Sequence, residues 1–220
     1  MPRRALIERR PWLLGSLVAA ILYYMMRDGP MPGLYLIGWK GAAVGMLAIY
    51  ALLRVPGANA RILAGAMVLA ACADMAAEVD AFWAGLFILA SQLVLIALFL
   101  RNRRGVMTRS QKLAALALLL LTPLIAHALV PAEGQGASGI VFSGLAMGAV
   151  AATAWASRFP RYRTGAGAVL AVFAFLLIQA DGGPLSGREL PYMLAWPLYY
   201  AGQFLICTGV TLTLRRDHSA

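Results

Sequence analysis

Apolar residues gather into eight runs along the chain: Pro11–Met26, Leu34–Leu53, Ile62–Ala77, Ala81–Leu100, Leu113–Val130, Gly139–Ala156, Thr164–Ala180 and Leu190–Leu214. Short polar or basic stretches separate them. Read with a window of about 19 residues, each run predicts a membrane-spanning segment. The spans must be helices, because lipid offers backbone amides no partner outside the segment and a lone strand cannot cross. Pro123 and Pro197 fall inside runs and should bend them. The first run is short, and its basic lead (Arg3, Arg4, Arg9, Arg10) imitates a signal peptide. Met25-Met26-Arg27-Asp28 follows it instead of a small-residue cleavage site, so the run reads as a retained anchor.

Composition agrees with lipid as the main solvent. The chain has 220 residues, 61% of them hydrophobic and 13% charged, with a mean hydropathy of +0.75. Soluble domains carry about 25% charged residues, so this chain has too few charges to coat a globule in water. Disorder, a collagen-like fibre and a disulfide scaffold are excluded by the same figures. Cys72 and Cys207 lie inside apolar runs and read as separate buried thiols. No loop is long enough to form a soluble domain, so residues 1–220 read as one integral-membrane domain.

The net charge of +10 would suggest nucleic acid were the basic residues not placed between spans. One side of the expected bundle receives the four N-terminal arginines, Arg54, Arg61, Arg101, Arg103, Arg104, Arg109, Lys112, Arg158, Arg161, Arg163, Arg215 and Arg216. The other side receives only Arg27 and Arg188, and Lys40 lies within a span. By the positive-inside rule this predicts an all-α, eight-helix membrane protein with both termini cytoplasmic. Acidic residues show the opposite bias: Asp28, Glu78, Asp80, Glu133, Asp181 and Glu189 fall at the outer face, and Glu8 and Asp217 inside. The basic 101–112 loop serves as a topology determinant and is also suited to anionic headgroups. No nucleic-acid partner is expected, and the sequence leaves the oligomeric state open.

Helices 2 and 6 both carry Gly-x-x-x-Gly, at Gly41/Gly45 and Gly144/Gly148. Small residues at this spacing mark close helix contacts in lipid. They also permit a four-plus-four parallel repeat.

Polar groups inside spans are costly and are therefore candidates for function. Lys40 lies early in helix 2, and Asp74 and Glu78 sit four apart near the outer end of helix 3, hence on one face. Gln92 is near the middle of helix 4, and His127 comes late in helix 5. Asp181 ends helix 7 with Gln179, and Tyr199, Tyr200 and Gln203 follow Pro197 in helix 8. Glu78 and Asp181 can equally mark the water boundary, His127 can be a packing residue, and Tyr199 can join Trp39, Trp83 and Trp196 in an aromatic belt. Lys40 and Asp74 are harder to dismiss, and an ion pair between them is expected. Two histidines and two scattered cysteines cannot assemble an ordinary zinc site. No Gly-x-Ser-x-Gly elbow is present, and Gly134–Gly139 matches Gly-x-Gly-x-x-Gly only by chance, without a preceding strand.

At these residues the chain resembles the lysoplasmalogenase (YhhN-like) family of eight-helix membrane proteins. Lys40 stands where the family has a lysine early in its second helix. Ile62-Leu-Ala-Gly-Ala-Met-Val-Leu-Ala-Ala-Cys-Ala-Asp74 is similar to its apolar run ending in Gly-Asp. Phe82-Trp-Ala-Gly-Leu resembles its entry to helix 4, and Leu198-Tyr-Tyr-Ala-Gly-Gln-Phe-Leu-Ile206 its Tyr-x-x-x-Gln-x-Leu-Ile ending. The likeness covers about residues 34 to 210, as scattered motifs. Ser91-Gln92 stands where the family has a helix-4 histidine. The family's Ser-Asp step in helix 7 lands on Phe175, and Asp181 lies nearly two turns beyond.

The resemblance implies cleavage of the vinyl-ether bond of a lysoplasmalogen-type lysophospholipid, releasing an aldehyde and a glycerophospho-alcohol. An acid protonates the alkene carbon, an oxocarbenium ion forms and water adds to it. This requires one neutral carboxyl and one ionised group, the logic of glycosidases. Asp74 with Glu78, or with Asp181, would be the catalytic pair, and Lys40, Gln92, Tyr199, Tyr200 and Gln203 would bind the lipid. No metal or cofactor is expected. The resemblance places the protein in a bacterial inner (plasma) membrane. Two other functions fit the sequence: a non-catalytic relative that binds or senses lysolipid, and a small-solute transporter using Lys40, Asp74 and His127.

Reporter fusions test the topology. Fusions after Met26, Ala77, Val130 and Ala180 should all report the outer compartment, and a cytoplasmic signal at any one would break the eight-span count.

Overall fold

A computed structural model describes residues 11–30, 32–130 and 137–219. The N-terminal basic run with Glu8, and Glu133 with the first half of the Gly134–Gly139 stretch, lie outside the described residues. Among the described residues the chain is helical and contains no strand; one isolated antiparallel bridge joins Arg103 and Ser157. The helices are α1 (Pro11–Met26), α2 (Gly33–Arg54), α3 (Ala58–Ala76), α4 (Ala81–Arg101), α5 (Arg109–Leu129), α6 (Ala137–Ala156), α7 (Ala166–Asp181) and α8 (Glu189–Ser219). A π-helical turn, Arg161–Gly165, leads into α7.

Among the described residues six segments are long and apolar enough to cross a membrane: α2, α3, α4, α5, α6 from Gly139, and α7 with its leading turn. The 16-residue α1 is a shorter apolar helix. At 31 residues α8 has the length, but its apolar run is interrupted by Tyr199, Tyr200 and Gln203, and it is not among the six. Several helices extend past their apolar run into polar sequence. Helix α5 starts four residues before Leu113 because Thr108 caps it: the Gln111 amide donates to Thr108 Oγ1 and the Thr108 amide to Gln111 Oε1.

The surface confirms an integral, multi-pass membrane protein. Leu14, Val18, Leu52, Leu116, Leu124 and Phe142 are among many large apolar side chains left exposed, a surface that water would not tolerate. Buried positions are instead dominated by small residues, with Ala43, Ala51, Ala66, Ala70 and Ala126 wholly covered. In lipid the hydrophobic effect does not drive helices together, so close packing of small side chains must.

The chain forms two compact units, one comprising residues up to Leu95 and from Thr211, the other Ile96–Val210. In the first, α2 packs against α1 and α3. Ser16 Oγ donates to the Ala43 carbonyl at 2.5 Å, and Gly41 allows the Met75 side chain so near that an added Cβ would lie 2.5 Å from its Cγ. Helix α4 is tied to α3 by Ser91 Oγ donating to the Ala66 carbonyl at 2.8 Å.

In the second unit α5 and α6 form the tightest pair. A Cβ at Gly144 would come within 2.8 Å of Pro123 Cα, and one at Gly148 within 2.7 Å of the Leu118 carbonyl oxygen. Pro123 removes the amide that the Leu119 carbonyl would accept from, and Gly148 brings the α6 backbone against that place. Helices α7 and α8 cross at Gly167 and Gly202, each lying where a Cβ would be 2.6 Å from the other's carbonyl oxygen. The two Gly-x-x-x-Gly motifs thus face different neighbours: Gly41 and Gly45 turn to α3, Gly144 and Gly148 to α5. Their shared spacing reflects close packing.

Gly148→Leu should destabilise the protein in detergent by about 1–3 kcal/mol, whereas Gly65→Leu should not, since nothing lies within 4 Å of a Cβ at Gly65. Thermal unfolding of both variants checks this; equal melting would show that the α5–α6 approach carries no energy. Neither Cys72 nor Cys207 forms a disulfide, and the second is fully buried. A membrane-impermeant maleimide should label neither on the timescale on which it labels an introduced loop cysteine, and rapid labelling of either would reveal an aqueous path.

Candidate functional site

The polar residues of the first unit converge from three helices. Spacing places Ser16, Ala19, Ala20 and Tyr23 on one stripe of α1, and all four are buried. Lys40 is the first buried residue of α2, beside the glycine that admits Met75. Asp74 lies in the last turn of α3, 7% exposed.

Lys40 pairs with Glu78 and not, as expected from sequence, with Asp74. Its Nζ lies 2.6 Å from Glu78 Oε1. The reason is local: α3 ends at Ala76, and turn bonds from the Glu78 amide to the Met75 carbonyl and from the Asp80 amide to the Ala76 carbonyl bend the chain back. Glu78 is therefore a turn residue and not the next position on the helix face. Its longer side chain reaches the ammonium. The Tyr23 hydroxyl donates to the same Glu78 Oε1 at 3.5 Å, and Lys40 Nζ sits 5.5 Å from the centre of the Tyr23 ring. That ring face supplies further favourable charge–quadrupole attraction.

Asp74 is the unusual member. Lys40 and Glu78 are the charges that act on it, yet its Oδ2 is buried and accepts no hydrogen bond among the described residues. A buried carboxyl oxygen without a partner costs energy. The cluster thus offers an ion-paired carboxylate toward the water side, a cation that holds it, and a second, unengaged carboxyl deeper in the helix.

The other predicted residues divide by burial. Gln92, in the first unit, is buried on α4 next to Ser91. In the second unit Gln203 is buried with Oε1 unengaged, Tyr200 is buried and stacks on Trp196 with ring centres 5.6 Å apart, and Tyr199 is half-buried. Asp181 is exposed at the last residue of α7, and His127 is exposed on α5. Tyr23 is the residue that sequence reasoning missed. Its signal was the seven-residue step from Ser16, which places a hydroxyl-bearing ring on an otherwise small buried stripe.

The model of the YhhN family matches residues 35–210, which span Lys40, Asp74, Glu78, Gln92 and Gln203. No match is found among curated proteins or solved structures. The chain belongs to the YhhN family, which includes lysoplasmalogenases.

Proposed function

We propose that the protein is a lysoplasmalogenase-like membrane hydrolase, with eight membrane crossings and both termini in the cytoplasm. The observation that carries the activity is the buried, unengaged Asp74 carboxyl beside the Lys40–Glu78 ion pair. In this reading Asp74 donates its proton to the alkene carbon of the vinyl ether. The carbon that bears oxygen becomes an oxocarbenium ion, which the Glu78 carboxylate stabilises while orienting a water molecule. Water adds to that carbon and returns a proton to Asp74, and the hemiacetal breaks into aldehyde and alcohol. The two carboxyl groups thus divide the acid and stabilising roles. Lys40 holds Glu78 in place, and its charge attracts the lipid phosphate. Gln92, Tyr199, Tyr200 and Gln203 are proposed to bind the lysolipid.

A second reading, a relative that binds lysolipid without cleaving it, is favoured by one observation. Asp181, the residue nearest the family's second acidic position, is exposed at the end of its helix. The transporter reading loses support, because His127, the third member of its relay, faces outward.

Turnover of purified protein on assorted lysolipids, with products read by mass spectrometry, separates these readings. Asp74→Asn should lower aldehyde release by about 10²–10⁴-fold while the protein still inserts. Glu78→Gln should cost a comparable factor, and Asp181→Asn should cost little. Wild-type rates in all three variants would rule out the carboxyl mechanism, and wild-type protein that binds lysolipid without releasing aldehyde would establish the second reading.

A further inference from the structure

The second unit carries a basic platform that the proposed hydrolysis does not use. Its two loops are locked together. The Arg104 amide donates to the Ala156 carbonyl at 3.1 Å, the Arg158 amide to the Asn102 carbonyl at 2.9 Å, and Arg158 Nε to Asn102 Oδ1 at 3.1 Å. Asn102 also donates through Nδ2 to the Leu98 carbonyl at 2.9 Å. Beneath them Phe99 and Phe159, both fully buried, meet edge to face with centres 6.1 Å apart. Arg103, Arg104, Arg158, Arg161 and Arg163 are thereby held at one end of α4, α6 and α7.

The neighbouring sequence supplies no acidic side chain. Neither Ala81–Ala132 nor Gly134–Ala180 contains an Asp or Glu. Arg161 and Arg163 occupy the opening turn of a long helix, where the backbone dipole already presents positive charge. Arg161 Nε is shielded from solvent and makes no hydrogen bond among the described residues. Burial, and then the charge of Arg161, push the Arg104 guanidinium below its ordinary range, so the two cations feel each other. A rigid frame that holds like charges together, with a buried donor left over, suits a bound anion. Two guanidinium forks fit the oxygens of a phosphate better than a single-point charge would. The surroundings specify where that phosphate comes from: Tyr162 is 94% exposed and Val106 84% exposed, and at the ends of membrane-spanning helices such side chains lie at headgroup depth.

We propose that Arg104 and Arg161 together hold the phosphate of an anionic membrane lipid, with Tyr162 beside it in the headgroup layer. The site belongs to the second unit, shares no residue with the Lys40, Asp74 and Glu78 cluster, and does not depend on the hydrolase reading.

The test is thermal unfolding of the full-length protein in detergent, titrated with short-chain phosphatidylglycerol, short-chain phosphatidylcholine or inorganic phosphate. Phosphatidylglycerol should raise the Tm by several degrees. Phosphatidylcholine, whose choline the arginines repel, and inorganic phosphate should have little effect. The Arg104→Gln/Arg161→Gln variant should lose the phosphatidylglycerol increment, whereas Arg215→Gln/Arg216→Gln, which removes the same charge elsewhere, should keep it. If the glutamine pair fails to fold, Arg161→Lys serves instead and should bind phosphatidylglycerol roughly tenfold more weakly. An increment that survives the Arg104 and Arg161 substitutions, or is lost equally in the Arg215 and Arg216 control, would overturn the site. Equal protection by inorganic phosphate would overturn its assignment to a lipid.

Discussion

Lipid does not hydrogen-bond, and that constraint shapes this protein. Every polar side chain drawn into a span must find a partner in the chain or leave a cost unpaid. The Lys40–Glu78 pair is the clearest response to it. A lysine in the middle of an apolar helix is tolerable because the turn after α3 returns a carboxylate to within 2.6 Å of it and α1 lays the Tyr23 ring alongside. Asp74 is the acidic exception beside that pair, its buried Oδ2 accepting no hydrogen bond among the described residues. Chemistry is expected where a structure leaves one group unsatisfied amid others that are paired.

The pairing depends on close helix packing. Gly41 removes the side chain that would otherwise hold the end of α3 away from α2, and it adjoins Lys40. Ser16 fixes α1 to α2 two turns from Tyr23. In the second unit Gly144, Gly148, Gly167 and Gly202 do the same for α5 with α6 and α7 with α8. Small residues take much of the place of the large apolar core of a soluble protein, since many large apolar side chains are turned outward to lipid.

Much of this was legible in the sequence because hydropathy is a strong signal over 20 residues. Each helix among the described residues coincides with an apolar run, and six of these segments are long and apolar enough to cross a membrane. Helix limits were less legible, because caps such as Thr108 and turns such as that after Ala76 extend or shorten a helix independently of its apolar run. Lys40, Asp74 and Glu78 stood out as charges in apolar surroundings. Their pairing did not, because equal spacing on an ideal helix does not reveal that α3 stops before Glu78. Tyr23 was hidden because a tyrosine near a span end has an ordinary explanation at the interface, and its partner lies 55 positions away.

The central claim is that Lys40 and Glu78 form one energetic unit on which the site is built. A double-mutant cycle with Lys40→Met, Glu78→Gln and the combined variant, read as unfolding free energy in detergent, measures it directly. Because Glu78 is partly exposed, each single change should cost about 1–3 kcal/mol. The double change should cost clearly less than the two together, since it leaves no charge stranded. Strictly additive costs would contradict the account, for they would mean that the two side chains meet without depending on each other.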